Sequence, residues 1–143
     1  MNNEEYLISV YQNTKTAIQS IKDMYPKFRS SKLKTLMKQE EEKYEYFKDK
    51  CIELAKQKDI DLKDNNLFQK TMLWTSINFS TMLDKSSVHI AELFLLGTVR
   101  GTIKLYKDLK NNTGIDDDIT SVAKELLDFE EESFDRIKQF LKS

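Results

Sequence analysis

Helix breakers are almost missing from this 143-residue chain. Pro26 is the only proline, and Gly97, Gly101 and Gly114 are the only glycines. Apolar residues at three- and four-residue spacing fill the long intervals between them, and no strand pattern or short internal repeat interrupts them. Cysteine is as scarce: Cys51 stands alone, which excludes an intrachain disulfide and a cysteine-based zinc site and fits a reducing compartment. His89 is the only histidine, so multi-histidine metal sites are excluded and any Ser-His or Cys-His pairing rests on one residue. A charge bias is lacking too. Twenty-three Lys and Arg are spread among twenty-four Asp and Glu, so charge offers no argument for nucleic acid. No apolar run approaches the roughly 20 residues needed to span a bilayer. The opening Met1-Asn2-Asn3-Glu4-Glu5 is acidic and polar, unlike a secretory signal. A glycine-rich phosphate loop and an Asp/Asn calcium loop are both absent. The expectation is a cytoplasmic all-α protein, one helical-bundle domain over residues 1–143, without membrane or nucleic-acid partners.

What is present divides into four main helices. The first is expected from Glu4 to Met24, with Leu7, Val10, Thr14, Ala17, Ile21 and Met24 on one stripe continuing to Phe28. Pro26 and Ser30-Ser31 mark a turn with a serine available as cap. The second, Lys32 to Lys58, places Met37, Glu40, Tyr44, Phe47, Cys51 and Leu54 on its stripe, and Glu40 is the odd member. Residues 59–66 form a polar linker. A helical pattern then runs from Leu67 to Asn111, roughly 65 Å if continuous, against about 40 Å for its neighbours. A break at Asp84-Lys85-Ser86-Ser87 divides it into a short helix, Leu67 to Leu83, and a third main helix, Ser86 to Leu109. Asn111-Asn112-Thr113-Gly114 stops that helix, and Asp116-Asp117-Asp118 puts negative charge at the start of a fourth, which runs to about Leu141. The short helix, with Phe68, Met72, Trp74 and Phe79, either covers a groove of the bundle or offers a partner an apolar face.

Two constellations compete for the interior. In di-iron bundles each metal-binding helix supplies Glu or Glu-x-x-His facing inward, the i, i+3 spacing putting both ligands on one face. Here Tyr44 follows Glu41 at that spacing, and Ser133 and Phe134 follow Glu130 and Glu131. His89 and Glu92 share a face, but in reverse order. A site made from Glu40, Glu41, His89, Glu92 and Glu130, taking iron or manganese, is therefore the alternative, and no cofactor is the first expectation. The preferred arrangement is a buried polar layer of Glu40, Tyr44, Arg100 and Glu130 with no metal. Arg100 is read on an inward stripe Leu93, Leu96, Arg100 and Ile103, at the height of Glu130, because a planar guanidinium bonds two carboxylates at once. The competing reading has Arg100 extending to solvent with only its stem buried. His89 reads as a capping residue, Cys51 as a small core hydrophobe, and Gly97 with Gly101 as a place where another helix approaches closely, within the chain or across a dimer.

The helix lengths, the passage from helix to linker over Leu54–Asn66, the segment Ser86-Ser87-Val88-His89-Ile90-Ala91-Glu92 and the run Leu127-Asp128-Phe129-Glu130-Glu131 together resemble the ferritin-like superfamily. More narrowly, they resemble small bacterial bundle proteins of unknown function in which a short helix links main helices two and three. The use of Lys, Asn and Ile also fits an AT-rich bacterial genome. The resemblance implies a ferritin-like four-helix arrangement. It does not imply iron, since the chain departs from the metal pattern at both Glu-x-x-His positions. The function expected is a non-catalytic bundle acting through protein contacts, as a homodimer or with an unknown partner. A small-molecule site between the helices would require a cavity.

Overall fold

A computed structural model describes residues 1–62 and 86–142 of the chain. They form four α-helices and, among the described residues, no strand: α1 (Asn3–Met24), α2 (Ser31–Gln57), α3 (Ser87–Asn111) and α4 (Asp117–Ile137). The apolar stretch 67–83, expected as a short helix, lies outside the described residues. No helix among those described is long and apolar enough to cross a membrane.

Each helix starts where a polar side chain can take up free backbone N–H groups. The Asn2 side chain accepts from Glu5 N at 2.8 Å while the Glu5 carboxylate takes the Asn2 N–H, a reciprocal capping box. Ser30 and Ser86 cap α2 and α3 by accepting from Leu33 N and His89 N, each at 3.2 Å. Pro26 ends α1 in a short 3-10 turn, Tyr25–Lys27. Gly114, at φ 81°, supplies the left-handed backbone of the α3–α4 turn. A second 3-10 turn, Lys138–Leu141, continues α4 to the end expected from the sequence.

Ion pairs and caps fix the helix directions. Lys58, just past the end of α2, bonds Asp116 at 2.9 Å and Asp118 at 3.0 Å at the start of α4. Asn3 accepts from Asp116 N at 2.9 Å, and the N-terminal amine reaches Asn112 at 2.7 Å. The beginnings of α1 and α4 and the ends of α2 and α3 thus meet at one end of the bundle. Lys50 to Glu125 further along, at 3.1 Å, keeps α2 antiparallel to α4. Hairpins α1/α2 and α3/α4 pack most closely, and α4 touches all three other helices. Since α2 and α3 both run against α4, they run parallel to each other.

The core contains the inward stripes of α1 and α2 as read from the sequence, Leu7, Val10, Ala17, Ile21 and Met24 with Met37, Phe47 and Cys51, together with Ile119, Val122, Leu126 and Ile137 of α4. Leu54 and Phe28 are only partly buried. Phe129 holds the α2/α4 seam, edge-on to Tyr44 at 5.1 Å and tilted on Phe47 at 5.7 Å.

The expectation for α3 fails. The buried face is Ile90, Ala91, Phe94, Leu95, Gly97, Thr98, Gly101 and Leu105. The stripe Leu93, Leu96, Arg100 and Ile103 lies on the other side, with Leu96 and Ile103 exposed. The physical reason is that α3 is apolar on both faces, so periodicity alone does not choose between them. Helix separation chooses: Ala91, Gly97, Thr98 and Gly101 let α3 come close to its neighbours, and bulky residues in their place would hold it away.

Phe47→Ala should lower stability by about 3–5 kcal/mol, as expected for a fully enclosed aromatic ring. Urea unfolding followed by circular dichroism would measure this, and a loss below 1 kcal/mol would contradict the packing of the α2/α4 seam.

Candidate functional site: a buried polar layer

Polar side chains from all four helices occupy the middle and one end of the core. Glu40, Glu130, Ser133, Asn13, Thr14 and Thr98 are buried, and so is Tyr44. Each is there because it falls on a helical stripe whose other members are apolar: Met37, Glu40, Tyr44 and Phe47 on α2; Leu126, Phe129, Glu130, Ser133 and Ile137 on α4.

The two buried glutamates are handled in opposite ways. Glu40 is fully partnered. Arg136 Nε donates to its Oε1 at 2.8 Å and Ser133 Oγ donates to its Oε2 at 2.6 Å. The guanidinium also reaches Oε2 at 3.4 Å and Ser133 Oγ at 3.0 Å, so three side chains close on one another. Arg136 lies over the Phe129 ring, 5.3 Å from its centre. Its side chain remains 39% exposed, and it forms the rim of an open depression of about 290 Å³ with Gln39, Lys43, Phe129 and Glu132. The Glu40 charge is thereby compensated at the edge of the core.

Glu130 has no such partner. Neither carboxyl oxygen makes a hydrogen bond, and burial pushes its pKa up to about 8. The Asn13 amide and the Thr102 hydroxyl are near enough to pull that value down in part. Neither bonds it: the Thr102 hydroxyl donates to Thr98 O at 2.9 Å, and Asn13 Nδ2 is itself unpartnered. At neutral pH Glu130 is mostly protonated and uncharged. Its carboxyl group sits where a side chain on Gly101 would be: a β-carbon there would lie 2.5 Å from Glu130 Oε2. Gly101 is the close approach expected from the glycine spacing, made within the chain, and Gly97 is buried beside it on the same face. Tyr44, between the two carboxyls, has its hydroxyl pKa held well above the usual phenol range, by burial first and then by Glu130 and Glu40.

The expected Arg100–Glu130 pair is therefore not formed. Arg100 is partly buried on the outer side of α3 and has an interaction of its own, while the guanidinium in the layer belongs to Arg136. The residues of the alternative metal set are scattered. Glu41 lies beside the Tyr25 hydroxyl, whose pKa burial and then Glu41 push up to about 12. His89 sits in the first turn of α3, and Glu92 is exposed on its outer face. Among the described residues no three His, Cys, Asp or Glu side chains converge as metal ligands would. Glu40 carries a cationic side chain and Glu130 a proton, so this donor set does not suit a cation. Arg136 and Ser133 are the members that sequence reasoning missed. The signal for Arg136 was its spacing: it lies three residues from Ser133 and seven from Phe129, on the flank of the buried stripe.

Glu130 makes stability depend on pH in a definite direction. The unfolded chain ionises this group near pH 4.5, the folded one only at about 8. Between those values the folded state binds more protons, so this contribution to stability falls as pH rises and levels off above the folded pKa. Glu130→Gln removes the titration, and should exceed the parent in stability by roughly 3 kcal/mol at pH 7, with no advantage near pH 4. Urea titrations from pH 4 to 9 would show the two curves diverging; parallel curves would mean Glu130 is not held neutral.

Comparison with known proteins finds no matching family model, no similar curated protein and no similar solved structure.

Proposed function

We propose that this chain is a non-catalytic helical bundle that acts through protein contacts, its buried polar layer serving the fold where a carboxylate metalloprotein would hold metal. The observation that carries this reading is the pairing of Glu40 with Arg136 and Ser133. A carboxylate so engaged is removed from metal or acid–base chemistry, and among the described residues Glu130 has no second carboxylate to share a cation with. A ferritin-like arrangement is part of the proposal. It is supported by the helix directions, with two antiparallel hairpins and α2 parallel to α3. A cytoplasmic location is supported by the lone, buried Cys51, whose thiol pKa burial pushes up to about 12 and which is a packing group.

Elemental analysis of protein purified without a histidine tag tests the reading. Iron, manganese and zinc far below one atom per chain are expected. Stoichiometric iron or manganese would overturn it and make the glutamates a ligand set. A structural layer also predicts coupling. Arg136→Met should cost about 2–3 kcal/mol, less than a wholly buried ion pair because the guanidinium is partly solvated, and Glu40→Gln in the same chain should restore most of the loss.

A further inference from the structure

The outer face of α3 is apolar along most of its length. Leu96, Val99, Ile103 and Tyr106 are 42%, 38%, 48% and 53% exposed. Their spacing of three, four and three residues makes one stripe, directly opposite the buried face. The Tyr106 hydroxyl bonds Glu131 of α4, which holds the ring as one wall of the stripe. Phe134, also exposed, lies one turn beyond Glu131 on α4 and extends the patch toward that helix.

The charges at the two ends of this stripe are arranged with a two-fold sense. Glu92 lies four residues before Leu96 and Lys110 four residues after Tyr106, both exposed and in line with the stripe, and neither forms an ion pair among the described residues. The intervals from Glu92 to Lys110, from Leu96 to Tyr106 and from Val99 to Ile103 share one midpoint, at Gly101. A copy of the helix turned end for end about that midpoint therefore sets Leu96 on Tyr106, Val99 on Ile103, and each Glu92 opposite a Lys110. A parallel copy would instead put Glu92 on Glu92 and Lys110 on Lys110.

We propose that a second copy of this chain docks here, α3 against α3 in antiparallel register, as an isologous dimer. This rests on the reading of the protein as one that acts by contacts, and names the partner. The helix pair covers about 400–600 Å² per protomer, below the roughly 800 Å² of a standard interface, so the dimer dissociates in the micromolar range.

Sedimentation equilibrium of the full chain from 1 to 300 µM, with metal content measured on the same sample, is the test. A concentration-dependent dimer is expected, and Ile103→Glu, on an exposed position that leaves the core intact, should abolish it. Lys110→Glu should weaken it about tenfold by setting like charges opposite each other twice, while Glu92→Lys with Lys110→Glu should restore it to within about threefold. Register is read by oxidation of cysteine variants, Cys51 being buried: Leu96→Cys mixed with Tyr106→Cys should cross-link, and Leu96→Cys alone should not. A dimer unmoved by Ile103→Glu, or cross-linking of Leu96→Cys with itself, overturns the proposal. So does a metal-free monomer at every concentration, the result if the chain's own residues cover this face; that outcome leaves the contact reading standing, whereas a monomer with stoichiometric metal removes both.

Discussion

Taking a carboxylate out of water costs several kcal/mol unless a cation or a proton accompanies it. This bundle carries two into its interior. At Glu40 the companion is Arg136, whose guanidinium reaches in from the rim. At Glu130 it is a proton, because among the described residues no cation or hydrogen-bond donor meets its oxygens. The difference follows from position along α4. Arg136 lies near the end of the helix, where its stem can follow the core edge while its head stays half in water. Glu130 is deeper, packed against α3, where a charged partner would itself have to be desolvated.

The protonated glutamate in turn constrains α3. Its carboxyl group occupies the space beside the Gly101 backbone, so that position accepts no side chain without displacement. Thr98 and Thr102 return their hydroxyls to carbonyls four residues earlier on the same helix, at 2.9 Å each, and so make few demands on the surrounding core. Small residues on α3 and a neutral acid on α4 are thus one arrangement. They set the spacing of the α3/α4 hairpin and leave the Glu40 cluster to join α2 to α4.

Much of the fold was legible in the sequence. The caps Ser30 and Ser86, the break at Pro26 and the stop at Gly114 are local chemistry, and the start of each main helix followed from it within a residue or two. On α1 and α2 most apolar residues fall on one side, so their buried faces were legible as well. On α3 they were not. Its inner and outer stripes have similar hydrophobicity, and the deciding quantity, how closely α4 approaches, belongs to tertiary structure. The same limit applies to the site. Glu40, Tyr44 and Glu130 could be placed inside from their stripes, and Arg100 was assigned as the partner because it shares the height of Glu130. Height along the bundle was right, since Gly101 touches Glu130, but the azimuth was wrong, and azimuth decides which guanidinium enters. The parallel course of α2 and α3 was likewise invisible until contacts between the helix ends gave their directions.

The inversion of α3 has a cost for the isolated chain. An amphipathic helix normally turns its large aliphatic residues inward and draws most of its stability from burying them. Here glycine, alanine and threonine occupy much of the inner face, while Leu96, Val99 and Ile103 remain in water. Two glycines in the helix interior each cost about 1 kcal/mol relative to alanine, and the exposed aliphatics return nothing to offset that. A helix so composed gains stability in proportion to what covers its second face. Hydrophobic residues scattered singly on a surface need no explanation, but a stripe at heptad spacing, flanked by charges of opposite sign at its two ends, has the form of a surface specified for another helix.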